Sequence, residues 1–202
     1  MLRPRIIPSL LIHNSGLVKT KNFKNPTYVG DPINAVKIFN EKEVDELIVS
    51  DIDASILNKE PNFELIKKFA EESRMPLCYS GGIKTVEHVS KIIQLGIEKI
   101  GISSKAIEDI EFIKDAAAIV GSQSVVGILD VKKGLFGDYA IFVKNGTKKI
   151  KKDITDVILE MQDAGVGEIV INSIDKDGTK EGYDFDLIDK FFSCIKVPLT
   201  VL

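Results

Sequence analysis

Tryptophan is absent from this 202-residue chain, and cysteine and histidine occur only twice each. Two cysteines, Cys78 and Cys194, far apart in apolar surroundings, exclude a disulfide scaffold and read as buried thiols of a reducing cytoplasm. With so few soft ligands, no cluster of His, Cys and Asp has metal-ligand spacing, and no cofactor is implied. Positive charge is not in excess either. A formal net charge of -3 argues against a general nucleic-acid or membrane-surface binder. No apolar run approaches the roughly 20 residues of a membrane span. Arg3 and Arg5 precede too short an apolar run for a signal peptide. What is present is 44% hydrophobic and 28% charged, the balance of one soluble globular domain.

Short β-rich runs alternate with amphipathic ones. Strands are expected at 5–12, 45–52, 75–80, 99–104, 124–131, 167–174 and 197–202. Helices are expected at 31–42, with Asp31 as N-cap and Pro32 in the first turn, and at 62–73, 85–96, 109–121, 154–165 and 185–195. A hairpin is expected at 137–150, its turn marked by Asn145-Gly146. The strands are near-continuous apolar runs, as parallel strands covered on both faces should be.

Strict alternation leaves two α/β architectures, an open doubly wound sheet and a closed (β/α)8 TIM barrel. No glycine-rich nucleotide loop follows the first strand, which weighs against the open sheet. Polar residues stand at the ends of several strands: Asp51, Gly81-Gly82, Ser103-Ser104, Asp130 and Asp175-Lys176-Asp177. Barrel active sites are assembled from such positions. A barrel needs eight strands, and this chain stops inside the seventh. The expectation is a single barrel domain over 1–202, truncated before helix 7, strand 8 and helix 8.

The chain is internally repeated. "DELIVSDID" (45–53) lies over "GEIVINSID" (167–175) at an offset of 122 residues, and "IIPSLLI" (6–12) over "VVGILDV" (125–131) at an offset of 119. Two fused half-barrels are implied, with the ends of the first and fifth strands facing each other. Two carboxylates there would suit acid and base catalysis. The fifth strand carries Asp130; its counterpart in the first is Leu11.

These stretches, with "LVKTKNF", "GDPINAVKIFNE", "SGGI" and the specific run "SIDKDGTKEGYD" (173–184), make the chain resemble the HisF family, the cyclase subunit of imidazole glycerol phosphate synthase, from end to end. The resemblance implies the (β/α)8 barrel. It implies a HisH-like glutaminase subunit as partner, ammonia passing through the barrel, and a phosphorylated small-molecule substrate at the C-terminal ends of the strands. It places the second catalytic aspartate on Asp130 and the first on Leu11, which cannot exchange a proton. Lys19, Asp51 and Asp177 match further catalytic positions. Gly82, Ser103, Ser104, Gly178 and Thr179 fall in phosphate- and substrate-binding stretches, Ser103 replacing an asparagine. Arg5, Glu46, Lys99 and Glu168 match the charged ring that gates ammonia, and Glu98 and Gln123 match the partner-facing surface.

Leu11 reads as the mark of a paralogue, and the stretch 8–55, "PSLLIHNSGLVKTKNFKNPTYVGDPINAVKIFNEKEVDELIVSDIDAS", resembles HisF-like proteins of surface-glycan gene clusters, which implies that the ammonia serves an N-acetyl-sugar amidotransferase that makes an acetamidino group. A working cyclase of histidine biosynthesis and a non-catalytic, glutaminase-activating scaffold are the alternatives. Of the residues outside this pattern, His13 reads as an exposed loop histidine, with replacement of the lost acid as its sharper alternative. His88 reads as a helix-surface residue, and the basic run 144–152 as a solvated loop.

Overall fold

The computed structural model describes residues 4–135 and 137–202, so Arg3 lies outside the described residues. The seven expected strands are β1 (Ser9–His13), β4 (Leu47–Asp51), β5 (Leu77–Ser80), β6 (Lys99–Ile102), β7 (Val125–Lys133), β10 (Glu168–Ser173) and β11 (Leu199–Val201). The six expected helices are α1 (Pro32–Glu41), α2 (Phe63–Glu72), α3 (Val86–Gln94), α5 (Glu111–Val120), α6 (Ile154–Ala164) and α7 (Phe185–Phe192). The fold class is α/β of the (β/α)8 barrel type. The hairpin is also present, as β8 (Tyr139–Val143) and β9 (Lys148–Lys149), around a turn in which Asn145 and Gly146 both have positive φ. Among the described residues no helix is long and apolar enough to cross a membrane.

The structure differs from expectation at three places. Arg5 precedes β1 by four residues instead of opening it, because Pro4 and Pro8 flank the segment and cannot donate to a ladder. The strand expected to reach residue 104 ends at Ile102, and Ser104–Glu108 turn into a short helix, α4. A second hairpin, β2 (Gly16–Lys21) and β3 (Lys24–Gly30), follows β1. Its β3 is almost wholly exposed, so no hydrophobic alternation announced it.

Helix starts follow local chemistry. Asp31, Asn62, Thr85, Asp153 and Asp184 each accept a hydrogen bond from a first-turn backbone N–H, satisfying donors that no preceding turn can reach. The faces turned inward carry the apolar residues, such as Ile66 and Phe69 on α2 and Val157, Ile158 and Met161 on α6.

The chain divides into two compact units, one of residues up to Lys19 with Thr27–Ile100, the other of Thr20–Pro26 with Gly101–Leu202. In the first, β1 pairs parallel with β4 and antiparallel with β2, and β4 pairs parallel with β5. In the second, β10 lies parallel between β7 and β11, and β8 runs antiparallel beside β7. Leu47, Val49 and Phe69 are fully buried in the first unit, and Leu129, Ile141 and Ile169 in the second.

The repeat is visible in the bonding. In the first unit Ile52 N–H donates to Ile12 O at 3.1 Å, and Asn14 N–H to Asp53 Oδ2 at 2.8 Å. In the second, Ile174 N–H donates to Val131 O at 2.9 Å, and Lys133 N–H to Asp175 Oδ2 at 2.7 Å. The same two offsets relate all four pairs. An aspartate two residues beyond each central strand clamps the backbone at the end of its neighbour, which is why Asp53 and Asp175 recur.

Candidate functional site

In the C-terminal half of β7, Asp130 is held by the adjoining strand and loop. Asn172 Nδ2 donates to its Oδ1 at 3.2 Å from the directly paired position of β10. Ser103 Oγ donates to its Oδ2 at 3.4 Å. Burial pushes the carboxyl up to about 7, the two hydrogen bonds oppose this, and the nearby charge of Asp177 adds to it. A carboxyl with that value can hold or release a proton near neutral pH.

Asp177 is fastened rather than open. Its Oδ2 accepts from Thr20 Oγ at 2.7 Å and from Phe23 N–H at 2.8 Å, and Asn22 N–H donates to its carbonyl at 3.0 Å. Gly178 has φ +66, and a Cβ there would run into the Thr20 carbonyl oxygen, so glycine is required for this approach. Thr179 Oγ donates to Lys176 O. Ser104 Oγ accepts from Lys144 N–H at 3.1 Å, which leaves its own hydrogen available to a ligand oxygen.

In the first unit, Asp51 ends β4 and its Oδ1 accepts from the N–H groups of Asp53 and Ala54 at 3.0 and 3.1 Å. Burial raises its carboxyl above the usual range, against those two bonds. Gly81 and Gly82 have φ +118 and +72, and a Cβ would sit 2.6 Å from Asp51 O or 2.8 Å from Lys59 O. The backbone can approach a ligand closely there for the same reason. Lys19 is exposed on β2. Leu11, on β1, stands opposite Ser50 of β4, and Ser50 Oγ accepts from Ser80 Oγ at 2.8 Å. Thus Ser50, the position matching Asn172, is bonded to Ser80 and faces a leucine instead of a carboxylate.

Two histidine readings need correction. His13 is the last residue of β1 rather than a loop residue, and its Nδ1 lies 2.6 Å from Asp53 Oδ1. His88 is not on the surface: its side chain is 13% exposed, stacked edge-on to Phe63, and its Nδ1 is buried without a hydrogen-bond partner. Cys78 is buried as expected, whereas Cys194 is only partly so. Asp53 had a sequence signal, its recurrence as Asp175, but its bond to His13 had none. Asn172, Thr20 and the buried hydroxyl of Tyr79 had none.

At the other end of the strands, Glu46 precedes β4, and its Oε2 receives both Arg5 Nη1 and Lys99 Nζ at 2.8 Å. Glu46 is buried, Lys99 17% exposed and Arg5 37%. Glu168, first residue of β10, is buried and accepts from Thr200 Oγ at 2.6 Å. Glu98 is exposed and accepts the Leu77 N–H at the start of β5. Gln123 is exposed and donates to Val120 O.

The family model described as "Histidine biosynthesis protein" matches residues 5–201. A Pseudomonas aeruginosa protein provisionally named imidazole glycerol phosphate synthase subunit hisF2 is 53% identical over 98% of this chain and 79% of its own length. The chain belongs to the HisF family. A Vibrio vulnificus relative, provisionally named subunit hisF3, is 54% identical over 100% of this chain and 78% of its own. The Streptococcus sanguinis imidazole glycerol phosphate synthase subunit HisF is 36% identical over 98% of this chain and 79% of its own. Leu11, in the first unit, differs from its repeat counterpart in the second, Asp130.

Proposed function

We propose that this HisF-family chain is the synthase subunit of a cytoplasmic glutamine amidotransferase pair. It receives ammonia from a HisH-type glutaminase where the strands begin and releases it where they end. The nitrogen then serves an N-acetyl-sugar amidotransferase, which converts an acetamido group of a surface sugar to an acetamidino group. Arg5, Glu46, Lys99 and Glu168 gate entry, Glu98 and Gln123 contact the glutaminase, and Gly82, Ser103, Ser104, Gly178 and Thr179 hold a phosphorylated small molecule.

The observation that carries this reading is the contrast between the two ends. Arg5 and Lys99 remain assembled on buried Glu46. At the other end a leucine stands where Asp130 has its repeat counterpart. Loss of one acid or base commonly costs about 10²–10⁴ in rate.

A second reading, the cyclase of histidine biosynthesis, is favoured by Asp130, whose carboxyl sits at about 7. In that reading Asp130, Lys19, Asp51 and Asp177 are the catalytic set. The deciding experiment is an ammonium-dependent cyclase assay on the full reading frame, wild type beside Leu11→Asp, with stimulation of a HisH-type glutaminase measured in parallel. The proposal expects stimulated glutaminase, no cyclisation by wild type, and cyclisation gained in Leu11→Asp. Turnover by wild type would transfer the chain to the second reading. Unchanged ammonia delivery in Lys99→Ala would overturn the conduit and leave a scaffold.

A further inference from the structure

His13 and Leu11 share a face of β1. Leu10 and Ile12 are buried at 5% and 3% exposure, while Ser9, Leu11 and His13 alternate with them on the less covered side. His13 is therefore the next side chain beyond Leu11 on that face, about 7 Å further along the strand. It is also the first there able to exchange a proton.

The group is held for that task. Nδ1 lies 2.6 Å from Asp53 Oδ1, and the Asp53 side chain is 15% exposed. Asp53 Oδ2 accepts from Asn14 N–H at 2.8 Å, and Asp53 N–H donates to Asp51 Oδ1 at 3.0 Å. The carboxylate is thus fixed from both sides. With a proton on Nδ1 shared with Asp53, Nε2 is the basic atom; it accepts from Asn14 Nδ2 at 3.0 Å, and that exposed side chain has to turn away before Nε2 takes a proton. Asn14 and Ser15 form the two-residue turn into β2, both with positive φ, which fixes where the strand ends.

The repeat separates structure from function. The bond from an end-of-strand N–H to the aspartate occurs in both units, at Asp53 and Asp175, and belongs to the scaffold. The second bond of Asp53, to His13, is an addition. Lys132 is the repeat counterpart of His13, and its ammonium lies 6.0 Å from the centre of the Phe142 ring. The addition therefore occurs in the unit that carries leucine in place of the carboxylate.

We infer that His13, oriented by Asp53, is the proton-transfer residue of this end of the strands, acting on ammonia as it adds to a carbonyl carbon of the acceptor. The inference rests on the proposed delivery of ammonia to this end, and adds that the acceptor's carbonyl carbon, for the sugar as its amidotransferase holds it, is presented here to the ammonia as it emerges. The nitrogen lone pair forms the C–N bond while the carbonyl π pair moves onto oxygen. One N–H proton passes to Nε2 and is then returned to that oxygen, giving a carbinolamine with His13 neutral again. Asp53 stabilises the intervening imidazolium and is a positioning residue.

The test uses the full-length subunit with its glutaminase, and ammonium as nitrogen source. Two acceptors are offered separately: the family's ribotide, and an N-acetylated sugar with its amidotransferase. Whichever acceptor wild type converts, His13→Ala should lose about 10²-fold or more in kcat, with glutaminase stimulation retained. Added imidazole should restore a measurable part of that turnover in His13→Ala. Asp53→Asn should lose less and should not respond to imidazole. His13→Ala within about threefold of wild type, or a loss that imidazole does not relieve, would overturn the assignment. A wild type that stimulates the glutaminase yet converts neither acceptor would overturn it too. Absence of stimulation in wild type would instead defeat the proposed function.

Discussion

Ser103 donates its hydroxyl hydrogen to Asp130, and its oxygen accepts no N–H from the helix it precedes. It stands at the N-cap of α4 and makes no side-chain cap bond, so a local stabilisation of about 1 kcal/mol is given up in favour of the carboxylate. That exchange ties the end of β6 to the end of β7.

The Asp130 carboxyl should make the protein's stability depend on pH in the unusual direction. Its value in the folded chain, about 7, lies above the 3.8 of an ordinary aspartate. The native state therefore binds this proton more tightly than the unfolded state does. Its contribution is fully present below about pH 4 and is lost as pH rises through about 7. Asp130→Asn removes the effect. Urea unfolding of wild type and variant should diverge between about pH 4 and about pH 8, by on the order of 3 kcal/mol in favour of the asparagine at the higher pH. Parallel pH curves would show that Asp130 ionises normally.

Glu46 should dominate its charge cluster. One buried oxygen receives two cations, so Glu46→Ala removes both contacts and should cost about 2–4 kcal/mol. Lys99→Ala should cost less, because Glu46 keeps Arg5. Arg5→Ala should cost at most about 1 kcal/mol, since its guanidinium is more than a third exposed and screened. Denaturant midpoints measured under one set of conditions give the order directly. An Arg5→Ala as damaging as Glu46→Ala would contradict it.

Where local pattern and tertiary structure agreed, the sequence was sufficient. Buried parallel strands are continuous apolar runs, and Asp31-Pro32 could open a helix in only one way. The β2–β3 hairpin was not legible because β3 is exposed along nearly its whole length, so its residues carry no periodicity. Ser103 and Ser104 read as a strand end because serine has no strong preference, and the turn into α4 depends on partners in β7 and at Lys144. The candidate site was legible through the repeat, which singled out Asp130 and Leu11. The bond between His13 and Asp53 joins residues 40 positions apart. Only their packing brings the imidazole and carboxylate together.

Asp177 should act as the fastener of the β2–β3 tip. Asp177→Ala removes the acceptor for Thr20 Oγ and Phe23 N–H, leaving the backbone bond from Asn22 and the two bonds from Asn22 Nδ2 to the carbonyls of Ile174 and Asp175. The tip should then open more often, and trypsin should cleave after Lys21 or Lys24 about tenfold faster. Thr20→Val, which loses one of the two bonds, should be intermediate. Gly178→Ala should open the same tip by a different route, because its Cβ meets the Thr20 carbonyl at a backbone conformation that alanine disfavours by about 1–2 kcal/mol. Unchanged cleavage in all three would mean that the tip is held by other contacts.

His88 should tolerate loss of its polarity. A buried nitrogen without a partner costs about 1–3 kcal/mol, and Nδ1 of His88 is such an atom. Its ring earns stability by contact with Phe63, whose face is also covered by Lys91 Nζ at 3.9 Å. His88→Phe keeps the edge-on ring contact and removes the orphaned nitrogen. It gives up the 3.9 Å approach of Nε2 to Glu60, whose side chain is 75% exposed, so that pair contributes little. The variant should therefore unfold at the same or a higher urea concentration than wild type. His88→Ala should be destabilised by about 1–3 kcal/mol through lost packing. If His88→Phe were as unstable as His88→Ala, the imidazole nitrogen would have to be bonded in solution, and the histidine would be retained for that bond rather than for its shape.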